Sequence, residues 1–158
     1  MKLSEVLNDA LNQQIIHELT NSSKYMQIAS FFEDLQLSNL ANYFKKQSDD
    51  EKQHANKFMN HINERIGGKV TLQETPFFNL GLIDIYSVGA IYVEAEENTT
   101  ASIESLYDLA LNEKSYMDLG FLSDMLSEQV LEENEASRFT MNLSMVKDFV
   151  LFNSLFGE

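Results

Sequence analysis

The chain has no cysteine and no tryptophan, and only one proline and six glycines in 158 residues. Without cysteine, thiolate zinc sites, iron–sulfur clusters and disulfides are all excluded. So few helix breakers favour long helices over a strand-rich fold. Basic residues are also scarce, with 11 Lys and Arg against 25 Asp and Glu, a net charge of −14. That balance argues against a nucleic-acid partner bound through its phosphates, and it suits attraction of cations. No run approaches the roughly 20 apolar residues of a membrane-spanning helix, so no membrane partner is expected. The opening segment, Met1 to Asp9, lacks the apolar stretch of a signal peptide, and a cytoplasmic protein is the expectation.

What is present is helical periodicity. Hydrophobic residues make up 44% of the chain, enough for one domain spanning 1–158 with a proper core. The pattern predicts a first helix from about Ser4 to Leu35, with an inward seam of Leu7, Leu11, Gln14, Glu18, Ser22, Tyr25, Ala29 and Phe32. A second helix starts at Ser38 as N-cap and stops at Gly67-Gly68, with Leu40, Phe44, Gln47, Glu51, His54, Phe58 and Ile62 inward. Residues 69 to about 82, with Thr75-Pro76 and the apolar Phe77, Phe78, Leu80 and Leu82, form a long link. Such a link lets the third helix run parallel to the second. The third helix spans roughly Ile83 to Asn112, with Ile85, Gly89, Tyr92, Glu96, Thr99, Ile103, Leu106 and Ala110 inward. The fourth follows Ser115, which stands three before Asp118 in a capping-box spacing. Its seam is Leu122, Met125, Gln129, Glu132, Ala136, Phe139 and Leu143. Phe149 to Phe156 form a short apolar tail, a fifth helix whose burial an oligomer would supply.

Four glutamates therefore stand where leucines belong. Glu18 and Glu96 are alone, Glu51 is paired with His54 three residues on, and Glu132 follows Gln129 at the same spacing. An ionised carboxylate left unpaired in a low-dielectric core is costly and tends to neutralise. Four of them at matching depth imply a cation. Carboxylate oxygen and imidazole nitrogen suit divalent iron or manganese, and a two-metal site needs one glutamate on each of two helices and a Glu-x-x-His on the others. Here the second such pair is altered to Gln129-x-x-Glu132. Of the other histidines, His17 points off the seam, toward the surface or a partner, and His61 is a satisfied structural residue. Met26, Met59, Met125, Met141 and Met145 read as core filler.

With these motifs the chain resembles the bacterial nonhaem ferritins over nearly its whole length. The likeness is carried by His17-Glu18-Leu19 with Tyr25 seven residues after the glutamate, Asp50-Glu51-Lys52-Gln53-His54, Thr75-Pro76-Phe77, and Ser127-Glu128-Gln129 with Glu132. The resemblance implies an all-α fold, a ferritin-like four-helix bundle with a long crossover and a short fifth helix. It implies a hollow homo-oligomeric shell of twenty-four subunits that stores ferric mineral. It also implies a ferroxidase centre that oxidises Fe(II) with dioxygen or peroxide, with two irons per subunit. By position, Glu18, Glu51 and His54 would hold the first iron, Glu51 would bridge, and Glu96 and Glu132 would hold the second. Gln129 would lie beside that iron, ligating it weakly or through water, and Tyr25 would hydrogen-bond near the centre and donate an electron. Many bacterial relatives hold a third iron at positions that match Asp50, Glu128, Leu131 and Glu132. Leu131 has no ligating atom and Asp50 is one methylene short, which leaves Glu128 and Glu135 as substitutes. Bacterioferritins carry a haem-ligating methionine where Lys52 stands, so no haem is expected. Rubrerythrin-type peroxidases add a cysteine site that this chain lacks. Glu113 and Asp118 are candidates to guide iron into the shell.

Overall fold

A computed structural model describes residues 1–76, 79–82 and 84–157. It contains α1 (Glu5–Asp34), α2 (Ser38–Glu64), α3 (Tyr86–Asn112), α4 (Tyr116–Met145) and the short α5 (Phe149–Ser154). No strand occurs among the described residues. Phe77, Phe78 and Ile83, expected in the link and at the start of the third helix, lie outside the described residues.

Two apolar clusters define how the helices run. One gathers Ile28 and Phe32 of α1, Leu40 and Phe44 of α2, Val88 and Tyr92 of α3, and Phe139 and Leu143 of α4, with Phe152 of α5. The other gathers Leu7 and Leu11, Phe58 and Ile62, Ile103 and Leu106, and Leu122 and Met125. The first cluster thus joins the end of α1 to the starts of α2 and α3 and the end of α4. So α1 and α2 are antiparallel, as are α3 and α4, whereas α2 and α3 are parallel. The long link from 65 to 85 makes that parallel step. Between the clusters lies a polar layer. Every inward residue expected on the first three helices is buried, and on α4 only Glu132 is less than fully so.

The two short connections are built alike. Gln36 (φ 61°) and Lys114 (φ 58°) adopt the left-handed conformation just past α1 and α3. The Leu37 N–H then reaches Phe32 O at 2.9 Å, and the Ser115 N–H reaches Ala110 O at 2.8 Å. These six-to-one bonds satisfy carbonyls that a helix end leaves orphaned. Because this turn takes up Leu37, Ser38 is the first helical residue and not the expected cap. Helix α2 stops at Glu64, before the glycine pair, with Arg65 extended. The start of α3 is set by Asp84, whose carboxylate accepts the Ser87 N–H at 2.9 Å. At Gly89 the third and fourth helices come close: an added Cβ would fall 2.9 Å from the Thr140 methyl, and the Thr140 hydroxyl donates to Gly89 O.

Asp118 corrects two expectations. Ser115 does not cap α4 with its side chain; its hydroxyl donates to Asp118 Oδ2 at 2.6 Å. The Asp118 carboxylate is fully buried, accepts Arg65 Nε at 2.8 Å, and lies 2.8 Å from His61 Nε2. Burial alone would raise its pKa, but Arg65, Ser115 and His61 outweigh that and hold it below the usual aspartate value. A carboxylate so engaged is a lock between α2 and α4, not a free guide for iron. Glu113 likewise accepts the Ser4 hydroxyl at 2.5 Å. His61, stacked on Phe121 at 4.1 Å, is the satisfied structural residue expected. Of the methionines, Met125 is core, but Met26, Met141 and Met145 are exposed on outward helix faces.

Because Arg65 is buried with Asp118, Asp118→Ala is expected to destabilise the fold by about 3–5 kcal/mol by stranding the guanidinium. Denaturant unfolding of the variant measures this. A loss under about 1 kcal/mol, the worth of an exposed pair, would contradict the lock.

Candidate metal centre

The polar layer sits midway along the four long helices, where each contributes one inward acid. Glu18 of α1, Glu51 and His54 of α2 and Glu96 of α3 are buried, and Glu132 of α4 is half-buried. Glu51 and His54 share a face because they are three residues apart on one helix. Ligand-type atoms of Glu18, Glu51 and His54 lie within 4.8 Å of one another, and so do those of Glu51, Glu96 and Glu132. The two groups share Glu51.

The free atoms in this layer are informative. Glu18 Oε2, both oxygens of Glu51, His54 Nδ1, Gln129 Oε1 and Glu132 Oε2 are buried without a hydrogen-bond partner. A native core rarely leaves such groups unpaired, and each costs about 1–3 kcal/mol or more. Other ligand-type atoms of the layer are held. Glu18 Oε1 accepts Gln14 Nε2 at 2.9 Å, and the Gln14 amide oxygen accepts the Ser102 hydroxyl. Glu96 Oε1 accepts the Tyr25 hydroxyl, and Glu96 Oε2 accepts Gln129 Nε2 at 3.3 Å. His54 Nε2 lies 3.2 Å from Glu128 and 3.3 Å from Glu132, while Nδ1 faces Glu51 at 3.6 Å and Glu18 at 4.0 Å. An Nε2–H donated to those carboxylates leaves the Nδ1 lone pair free on the side of Glu18 and Glu51, the arrangement that orients a metal-binding imidazole.

Charge tells the same story. Burial, then the charge of Glu51, pushes the Glu18 pKa well above the usual value, and burial, then Glu96, does the same to Glu51. Burial raises Glu96 as well, against the hydrogen bonds from Tyr25 and Gln129. Burial pushes Glu132 up to about 8. Without a cation, burial favours the protonated forms of these acids; a divalent ion would favour the ionised ones. The donor set of carboxylate oxygens and one imidazole nitrogen fits a hard or borderline divalent metal.

All seven residues singled out in the sequence converge here, and several partners went unnoticed. Gln14 was visible in the first seam, four residues before Glu18, without a role attached. Ser102 had no signal, since it lies off the seam of α3. His17 is half-buried, and its Nε2 lies 2.8 Å from Thr99 Oγ1. Thr99 gives its own proton to Ala95 O, so its oxygen accepts from Asn21 and His17. Burial, then Lys24, lowers the His17 pKa. Around the outer rim, Glu128 is bound by Lys57 at 2.5 Å and Asp50 by Lys46 at 3.0 Å, while Leu131 is exposed. A cleft of about 280 Å³ between α2 and α4, with Asp50, Lys57, Glu128 and Glu132 among its walls, opens onto His54.

Comparison with known proteins bears on the family and the fold. A family model described as the ferritin-like domain matches residues 8–146. The chain belongs to the ferritin family. It is 32% identical over 131 residues to a bacterial non-heme ferritin of Staphylococcus saprophyticus, covering 83% of this chain and 78% of that one. A bacterial non-heme ferritin of Staphylococcus haemolyticus is 30% identical over 132 residues, covering 84% and 79%. Among solved structures, an open pore ferritin from the hyperthermophilic archaeon Archaeoglobus fulgidus matches with a TM-score of 0.93 at 27% identity, over 98% of this chain and 96% of that chain. A closed form of the Archaeoglobus fulgidus ferritin, engineered by site-directed mutagenesis, matches equally at 28% identity over the same shares. The all-helical fold expected from the sequence is thus the ferritin fold.

The raised pKa of Glu132 has a sign that can be checked. In the metal-free folded state it binds a proton more tightly than in the unfolded chain, so its contribution is present below the ordinary value of 4.5 and is lost as pH rises through about 8. Across that window Glu132→Gln is expected to lose less thermal stability than the parent protein, both stripped with a chelator. Equal losses would show that Glu132 ionises as if it were exposed.

Proposed function

We propose that this ferritin stores and detoxifies iron as a ferroxidase, with Fe(II) bound by Glu18, Glu51, His54, Glu96 and Glu132. The observation that carries the reading is two groups of ligand-type atoms that share Glu51, with unpartnered atoms on Glu18, Glu51, His54 and Glu132. Glu18, Glu51 and His54 hold one Fe(II); Glu51, Glu96 and Glu132 hold the other. The shared carboxylate brings both ions to one oxidant. Two Fe(II), one dioxygen and two protons give two Fe(III) and hydrogen peroxide, and peroxide serves as oxidant in the same way. The protons that the empty site holds leave when Fe(II) enters. Gln129 orients Glu96 through its amide and gives the second iron no charge, so that iron is the more weakly held. Ferric product leaves through the cleft between α2 and α4 and is stored as mineral.

Glu128 does not serve a third iron in this reading. Its carboxylate is spanned between Lys57 and His54 Nε2, where it fixes the imidazole tautomer. No haem belongs to this reading, since Lys52 stands where bacterioferritins carry a haem-ligating methionine. The subunits assemble into a hollow homo-oligomeric shell of twenty-four in the cytoplasm. Val150, Leu151 and Leu155 of α5 support assembly, since each is more than 60% exposed on the isolated chain beside the anchored Phe152.

Anaerobic loading with two Fe(II) per chain, then mixing with dioxygen, tests the centre. Fast ferric absorbance in the parent protein and its loss in Glu51→Ala are expected; oxidation no faster than in protein-free buffer would refute the reading. Glu128→Gln is expected to weaken anaerobic Co(II) binding by about 10–100-fold while leaving the number of sites per chain at two. Three sites that fall to two in Glu128→Gln would make Glu128 a ligand instead.

A further inference from the structure

The two sides of the candidate centre offer different chemistry to a molecule that approaches it. Between α1 and α3 lies a hollow of about 580 Å³. Ala10, Ile16, Leu106 and Leu109 give it an apolar wall, and neutral amides and hydroxyls make up most of the rest. Lys24 brings a positive charge, and no carboxylate lines it. The cleft of about 280 Å³ between α2 and α4 is the reverse. Asp50, Glu128, Glu132 and Glu135 line that cleft, and Leu131 is the one apolar residue among its walls.

One side chain reaches both the hollow and the centre. Gln14 lines the hollow, is 2% exposed, and donates through Nε2 to Glu18 Oε1 at 2.9 Å. The other oxygen of Glu18 is among the bare atoms of the centre. Ser102, also in the wall of the hollow, donates its hydroxyl to the Gln14 amide oxygen. Beside them Asn21 donates to Thr99 Oγ1 at 2.8 Å, and both residues are buried. At Gln14 the partition between hollow and centre is therefore one amide thick, latched by one hydroxyl from the facing helix. The two substrates of the centre differ in what they need from a route. Fe(II) is a hydrated dication, drawn to carboxylates and not to a wall that carries a lysine and no acid. Dioxygen is small, neutral and nonpolar, so apolar surroundings suit it better than water does.

We propose that dioxygen reaches the centre through the hollow between α1 and α3, past Gln14, while Fe(II) uses the acidic cleft between α2 and α4. The route rests on the ferroxidase reading above and names the entrance of its second substrate. Gln14 is the door and Ser102 its latch. Rotation of the Gln14 side chain breaks its bonds to Ser102 and Glu18 and lets a diatomic molecule by, and the same two bonds draw it back. A hydrated ion would need the two helices to part. Passage at Gln14 limits the rate when dioxygen is scarce. Separate entrances keep dioxygen from meeting Fe(II) in the cleft, so oxidation is confined to the pair of ions at the centre.

The test is the rate at which the preloaded centre reacts with dioxygen. Protein loaded anaerobically with two Fe(II) per chain is mixed with a series of dioxygen concentrations while ferric absorbance is followed, so that iron entry drops out of the measurement. Ala10→Phe and Ser105→Phe put bulk into the hollow and keep both Gln14 and Ser102. Thermal unfolding with anaerobic Co(II) binding verifies that fold and centre are intact. Ser105, exposed on α3, carries the test if Ala10→Phe does not fold. The expected result in both variants is a fall of at least about threefold in the second-order rate constant for dioxygen, with Co(II) affinity unchanged. Gln53→Phe, in the cleft, is expected to slow anaerobic Fe(II) uptake and to leave that constant alone. Ser102→Ala, which unlatches Gln14 and fills nothing, is expected to raise it. A constant unchanged in the filled variants overturns the route and leaves the ferroxidase reading standing. A Ser102→Ala that falls as far as they do also overturns it, because Ser102 then serves only to hold Glu18 in place. Oxidation in the parent protein no faster than in protein-free buffer overturns both readings.

Discussion

The structure turns on the burial of glutamates in the middle of a helical bundle. Glu18, Glu51 and Glu96 are at most 1% exposed, and no basic side chain is among the charges that lower their pKa apart from His54. An uncompensated charge there would cost several kcal/mol, so the site holds protons or a cation. The apolar clusters on either side offset that cost. Phe44 and Phe32 on one side and Phe58 and Leu11 on the other are fully buried, each contributing about 1.5–3 kcal/mol. The bundle is thus two hydrophobic cores clamped about a polar layer that neither would tolerate alone.

Within that layer the side chains are held to different degrees. Glu18 and His54 each have one atom fixed, by Gln14 and by Glu128 with Glu132, and one left bare, whereas Tyr25 and Gln129 hold both oxygens of Glu96. Glu51 alone has both oxygens bare, which is what a bridging carboxylate requires. The holding groups come from helices other than the one they orient, except Gln14, which lies one turn away and is itself held by Ser102 across the bundle. Preorganisation of this kind spares a bound ion the work of ordering its ligands.

The sequence made the periodic part legible and the reciprocal part obscure. Glu18, Glu51, His54, Glu96, Gln129 and Glu132 interrupt apolar seams, and a seam is a one-dimensional pattern. Helix ends were less visible. Ser38 looked like a cap because the left-handed turn at Gln36 is made by a residue with no sequence preference for it. Asp118 read as a capping-box acid and a guide for iron because its partner Arg65 is 53 residues away. Ser102, Thr99 and Lys57 gain their roles from contacts across helices, and no spacing within one helix announces those. The exposed Met26, Met141 and Met145 show the limit of composition: a methionine reads as core until the face it occupies is known.

The two sides of the layer differ in a way that bears on whether the metal is resident or passing. Between α1 and α3 a hollow of about 580 Å³ is lined by Gln14, His17, Asn21 and Ser102 and by none of the four glutamates. The hydrogen bonds of Gln14, Asn21 and Thr99 close that side. Between α2 and α4, by contrast, His54 and Glu132 line an open cleft whose rim is the Lys57–Glu128 pair, with both side chains more than a third exposed. Such a pair holds with at most about 1 kcal/mol, so the rim opens at small cost. A structural ion would be closed in on all sides by strong ligands. On the proposed ferroxidase function, a centre closed by hydrogen bonds on one side and loosely rimmed on the other suits an ion that passes through it.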